Sequence, residues 1–211
     1  MTPRVAPNHT HAHRGGGYTL IELVITLALL GIAGTMVIPA MTQSGVLRTQ
    51  AAVRTIVADI TFLQGDALAY QERRAIWFNR YAELEDGAYS YAEGNGYVLA
   101  EVNGPVLDLE TAAMPDPDNP TSPLFRDFGA IDRNRNAWNR FGGVRIENVN
   151  FNDTQMLIFD ELGGPVENLT GPEPGNGGSL EVWSDLAAFR INIAPFTGRV
   201  TVERIDIDEA E

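Results

Sequence analysis

The sequence predicts an α+β fold: one long N-terminal helix, apolar in its first part and amphipathic in its second, packed on an antiparallel β-sheet head. Three observations carry that prediction. Residues 18–41 hold one formal charge, Glu22, in an otherwise apolar, small or hydroxylated run. Val46, Val53, Ile56, Val57, Ile60, Leu63 and Ala67 then recur at helical spacing. From about Arg73 onward the pattern changes to short β-prone runs separated by turn residues. A helix followed by several antiparallel strands is an α+β arrangement.

The apolar run comes first. As a helix it spans about 36 Å at ~1.5 Å per residue, enough to cross a bilayer core of ~30 Å with some tilt. It is too long for a secretory h-region, and no A-x-A-like cleavage site follows it. A small-residue site precedes it, at Gly15-Gly16-Gly17, behind a polar leader holding Arg4, Arg14, His9, His11 and His13. Cleavage there keeps the run as an anchor. A carboxylate costs about 2.5–3.5 kcal/mol at the centre of such a span and less near its end. A generic signal anchor accounts for the hydrophobicity but not for Glu22.

Gly17 followed by Tyr18-Thr19-Leu20-Ile21-Glu22-Leu23-Val24 resembles the class III leader and N-terminal helix of type IV pilins and type II secretion pseudopilins. The resemblance implies that prepilin peptidase cuts after Gly17 and that the new N-terminus, Tyr18, is methylated. It implies an assembly role for Glu22, which stands fifth from Tyr18. It also matches Pro39, twenty-second from Tyr18, and Gly31 to positions where the family has a proline and a glycine, both of which loosen the helix. Tyr18 departs from the usual phenylalanine while keeping an aromatic. The implied organisation is a leader over 1–17, a transmembrane and assembly helix over 18–41, and a periplasmic pilin-like head over 42–211, helical to about 72.

Composition narrows the functions. The chain has 211 residues and a formal charge of −13, with no Lys and no Cys. Such an acidic surface excludes nucleic acid as a natural partner, because phosphate contacts need clustered Arg and Lys. Without Cys there is neither a disulfide scaffold nor thiol chemistry. The histidines all lie in the leader, so a processed chain keeps no imidazole for catalysis or zinc. No catalytic residue, metal site or cofactor is expected.

In the second helical part, Arg48, Thr55, Asp59, Asp66 and Arg73 are placed on the face opposite the apolar stripe. Pro39 is expected to interrupt the helix, since it lacks an N–H and crowds the carbonyl of Thr35. Strands are expected at Ala75–Phe78, Tyr97–Ala100, Val144–Phe151, Met156–Phe159 and Leu180–Trp183, with Gly94-Asn95-Gly96 read as a turn. Phe189, Ile191 and Ile193 alternate with Arg190 and Asn192. After Pro195-Phe196-Thr197-Gly198, Val200 and Val202 alternate with Thr201 and Glu203, a hairpin with one buried face.

The order of Ile76-Trp77-Phe78, Phe159-Asp160-Glu161-Leu162-Gly163 and Gly198-Arg199-Val200 after a long helix is similar to the GspH/FimT-type minor pseudopilins and pilins. The resemblance implies architecture and no ligand site. Asp132-x-Asn134-x-Asn136 imitates the start of an EF-hand loop, but Ala137 replaces the required glycine and Gly143 the twelfth-place glutamate. It reads as a solvated acidic loop; the weaker alternative is that Asp116, Asp118 and Asn119 nearby help to hold calcium. Gly171–Gly178 has glycines but no Lys and no following helix, so it is a turn and not a phosphate cradle. The stretch from Glu110 to Gly143 is long for a structureless connection. Its Phe125, Phe128, Trp138 and Phe141 either pack back on the head or face another subunit or a secreted cargo.

The function expected from these residues is structural: a minor pseudopilin of a type II secretion pseudopilus. Its expected partners are other pilin-like subunits, prepilin peptidase, an inner-membrane assembly platform and the lipid bilayer. A minor type IV pilin fits the same residues, as does a membrane-anchored binding module that never polymerises. A hydrolase using Asp160 and Glu161 fits poorly, because adjacent strand residues point to opposite faces.

Overall fold

The computed structural model describes residues 19–129 and 141–207, with the side chains of 34–44 left outside that description. Two compact units divide the chain, Met1–Met41 and Thr42–Glu211. Helix α1 is assigned from Leu20 to Tyr70 with no break at Pro39, which corrects the expected interruption. Proline removes one rung from the hydrogen-bond ladder, and the assigned helix continues past that loss. Among the described residues, no helix is long and apolar enough to cross a membrane. Side chains are described for only part of the expected span over 18–41. Its stretch with described side chains, 20–33, is shorter than the ~20 residues a crossing takes.

In the second unit, Val53, Ile56, Ile60, Leu63 and Ala67 are buried, as the helical spacing predicts. They meet a five-stranded antiparallel sheet built from β1 (Arg74–Glu85), β2 (Ala88–Glu101), β5 (Phe125–Asp127), β7 (Met156–Phe159) and β8 (Pro165–Val166). Its order is β5-β2-β1-β7-β8. A four-stranded sheet, β6 (Arg145–Phe151), β9 (Gly178–Ser184), β10 (Ala187–Ile193) and β11 (Val200–Ile205), runs in the order β11-β10-β9-β6. Ile76, Phe78, Tyr97, Leu99, Leu157 and Phe159 face α1 and the second sheet, contributing to one core. Ala75, Val98, Ala100 and Ile158 alternate with them and face a second core with Leu107, Leu109 and Ala112. Strands covered on both faces read as continuous apolar runs, as Tyr97–Ala100 does.

The expected strands all form, but one turn is misplaced. Gly94-Asn95-Gly96 lies inside β2, opposite a bulge where β1 shifts register between Phe78 and Arg80. A Cβ on Gly96 would run into the Arg126 and Arg80 carbonyls, and one on Gly94 into the Tyr81 ring at 2.6 Å. These glycines admit a close backbone and do not turn the chain. The hairpin turn is Asp86-Gly87, at φ 50° and 87°, between paired Glu85 and Ala88. Two residues at positive φ suit the twist of a tight hairpin. Between the glycines, Asn95 donates to the Val144 carbonyl at 2.7 Å and accepts from the Ile146 amide at 2.8 Å. The side chain thereby satisfies β6, an edge of the second sheet.

The stretch from Glu110 onward is ordered where described. It holds most of α2 (Leu109–Ala112), the hairpin of β3 (Pro115–Asp116) with β4 (Asn119–Pro123), and β5. Phe128 and Phe141 pack back into the core, their rings 4.9 Å apart. Trp138 and the Asp132–Asn136 loop lie outside the described residues. The last hairpin forms as expected, but β11 is an edge strand, and Val202 is exposed.

Candidate functional site

The segment singled out by the sequence is the start of α1. Thr19 caps it: its Oγ1 accepts from the Glu22 amide at 3.3 Å, and its carbonyl accepts from the Leu23 amide at 3.1 Å. Thr19-x-x-Glu22 has capping-box spacing, a signal present in the sequence itself. It sets Glu22 in the third helical position, near the positive end of the helix dipole, where a carboxylate is worth about 0.3–1 kcal/mol. The Thr26 hydroxyl donates to the Leu23 carbonyl at 2.8 Å, so it adds no unmet polar group.

Around this start the helix is apolar on every side. Leu20, Ile21, Leu23, Val24, Ile25, Leu27, Leu29, Leu30 and Ile32 are each more than half exposed. Full burial of one such side chain is worth about 1.5–3 kcal/mol. A helix hydrophobic all round belongs inside a larger assembly or a membrane, and a patch of this extent marks an interaction surface. Gly31 lies on this surface, and a Cβ there would meet nothing within 4 Å. Among the described residues, no contact therefore calls for its small size. Glu22 is exposed. Gly17 and Tyr18 lie outside the described residues, as do the three histidines, and Pro39 falls within the helix without a described side chain.

The head's buried charges are held in internal clusters. Asp59 and Asp66 do not lie on the solvent side of α1 as expected. Asp59 accepts from the Tyr97 hydroxyl at 2.8 Å and pairs with Arg126 at 3.0 Å, joining α1 to β2 and β5. Burial, then the Asp59 charge, pushes the Tyr97 hydroxyl well above its ordinary value, so it stays protonated and donates. Asp66 pairs with Arg74, which also reaches Glu72 at 3.0 Å. On the second sheet, Glu181 is only 6% exposed. It accepts from Asn148 at 2.7 Å, Trp183 at 2.9 Å and Arg190 at 2.8 Å. Burial pulls its carboxyl upward, yet the bonds from Asn148, Arg190 and Trp183 together outweigh it and leave the group below its ordinary value.

Asp160 and Glu161 are engaged separately. Asp160 accepts the amides of Leu162 and Gly164, while Glu161 pairs with Arg73 at 3.5 Å. The two glycine-bearing motifs do come together. Gln64 Nε2 of α1 donates to the Gly163 carbonyl at 2.6 Å and to the Thr197 carbonyl at 3.0 Å. Among the described residues, no group of three or more metal-binding side chains is assembled.

Residues 13–38 match the prokaryotic N-terminal methylation motif. No curated protein and no solved structure matches the chain. The matched residues include the expected cleavage glycine, Glu22 and the apolar helix start, and the motif suggests membrane anchoring. Together with an α+β head, that motif indicates a type IV pilin-like subunit, processed by prepilin peptidase and assembled with other pilin subunits.

Proposed function

We propose that the chain is a minor pseudopilin of the GspH/FimT type, a structural and non-enzymatic subunit of a type II secretion pseudopilus. Prepilin peptidase cuts after Gly17 and Tyr18 becomes the methylated N-terminus. The subunit waits in the inner membrane, anchored over 18–41 with its head in the periplasm, until the assembly platform draws it into the filament. The observation that carries this reading is the helix start, apolar on every side and interrupted by the single carboxylate of Glu22. A head-to-tail contact that does not close generates a filament, and an apolar helix shared among neighbours supplies its core. The order of the strand motifs after the helix supports the GspH/FimT branch, and an acidic head without Cys is compatible with it.

In this reading Glu22 meets the free amine of Tyr18, on its own chain or on a neighbour joining the filament. A carboxylate left unpaired in an apolar setting is costly, and an ammonium opposite it recovers much of that cost. Glu22→Leu separates this role from plain dipole complementation. The variant should still insert and still be cleaved, because hydrophobicity rises and the Gly17 site is untouched. Crosslinking to other pilin-like subunits should fall at least about tenfold, the equivalent of ~1.4 kcal/mol. Crosslinking equal to wild type would favour an anchored binding module that does not polymerise.

A further inference from the structure

The Asp86-Gly87 hairpin tip and the β3–β4 hairpin enclose an open groove of about 690 Å³ on the face of the first sheet turned away from α1. Tyr89 and Tyr91 line it, with Pro120 nearby and the carboxylates of Glu85, Asp86 and Glu110 around them. None of those three carboxylates forms an ion pair with a described residue, whereas eight other Asp and Glu side chains among the described residues of the head do.

We propose that this groove binds an extended, positively charged peptide segment of a partner protein. Three features fix that chemistry. Tyr89 and Tyr91 stand at alternate positions of one strand and so share a face about 7 Å apart, the repeat of side chains along one face of an extended peptide. Tyrosine faces attract cations, and the carboxylates beside them add to that attraction. The neighbouring hollow, which shares Tyr91 and Glu110, already shows the contact in miniature. There Arg80 lies over the Trp77 ring at 4.9 Å and pairs with Glu93 at 3.3 Å. The Tyr91 hydroxyl is pushed above its ordinary value by burial first, then by Tyr89, Glu110 and Asp108. The chain has no Lys, and among the described residues no Arg lies over Tyr89 or Tyr91. Among the described residues none supplies that cation, and in this proposal the partner does.

The test uses the full chain in detergent and a fluorescein-labelled peptide, acetyl-Gly-Arg-Gly-Arg-Gly-amide, with a glutamate-for-arginine control. The arginine peptide should raise the anisotropy signal and the glutamate peptide should not. Raising salt from about 50 to about 500 mM should weaken binding roughly tenfold, because the groove is open to solvent. The double variant Asp86→Asn with Glu110→Gln should weaken it about tenfold. Asn tolerates the positive φ of the turn at 86, so the hairpin is retained. Glu203→Gln, on the edge strand of the other sheet, should leave binding unchanged. No binding of the arginine peptide up to about millimolar concentration overturns the proposal. Equal binding of both peptides overturns it too, as does an equal loss in the Glu203→Gln variant, which would mark diffuse attraction to an acidic protein.

Discussion

At the scale of single residues, the head is held by polar groups that the sequence places but does not announce. Asp59 stands three residues after Ile56 and four before Leu63, so helical geometry puts it on the buried stripe. Its charge alone suggested solvent, because its partners Tyr97 and Arg126 come from distant strands. Tyr97→Phe removes the hydroxyl donor and leaves a buried carboxylate short of one bond. The unfolding free energy should fall by about 1–3 kcal/mol, read by denaturant titration; an unchanged midpoint would mean that Arg126 alone satisfies Asp59. Glu181 gives a pH signature. Its carboxyl lies lower in the folded than in the unfolded chain. The stability it contributes is therefore present above the unfolded value, about 4.3, and is lost as pH falls through the folded one. The thermal midpoint should drop on acidification below about pH 4.5, and Glu181→Gln should flatten that drop. Identical profiles for the two proteins would contradict the assignment.

At the scale of elements, alternation and helical spacing were legible because burial selects them directly. The stripe from Val53 to Ala67 and the run Met156–Phe159 appear where their apolar patterns put them. The turn was harder to place. Gly-Asn-Gly carries the same signal whether the chain reverses or a second backbone needs room, and only the pairing partner decides. Here the partner is Arg126 of β5, which a Cβ on Gly96 would displace. Gly96→Ala should accordingly destabilise the head by about 1–3 kcal/mol, the range for overpacking. Gly31→Ala, with open space around it, should cost the isolated subunit nothing and gain a few tenths of a kcal/mol in helix propensity. Thermal melts of the two variants side by side decide this; equal effects would mean that the strand crossing at Gly96 is looser than its geometry. The edge position of β11 was hidden for a related reason, since its alternating pattern also fits a strand with a neighbour on each side.

At the scale of the whole molecule, the two parts of the chain satisfy their apolar residues differently. The head buries its own, in two cores on either face of one sheet. The start of α1 buries none of its large apolar side chains, which is what a surface reserved for lipid or for neighbouring subunits looks like. This division was legible in sequence, because an uncharged run with one carboxylate stands out in any composition. Its capping residue, Thr19, was legible in the same stretch, since Thr-x-x-Glu carries capping-box spacing. The central claim is that the leader ends at Gly17 and that everything after it is retained. Mass spectrometry of the N-terminal peptide, from protein extracted from membranes of cells with prepilin peptidase, tests that claim most directly. The mature chain should begin at a methylated Tyr18. A retained leader, or an N-terminus anywhere after Met41, would contradict it.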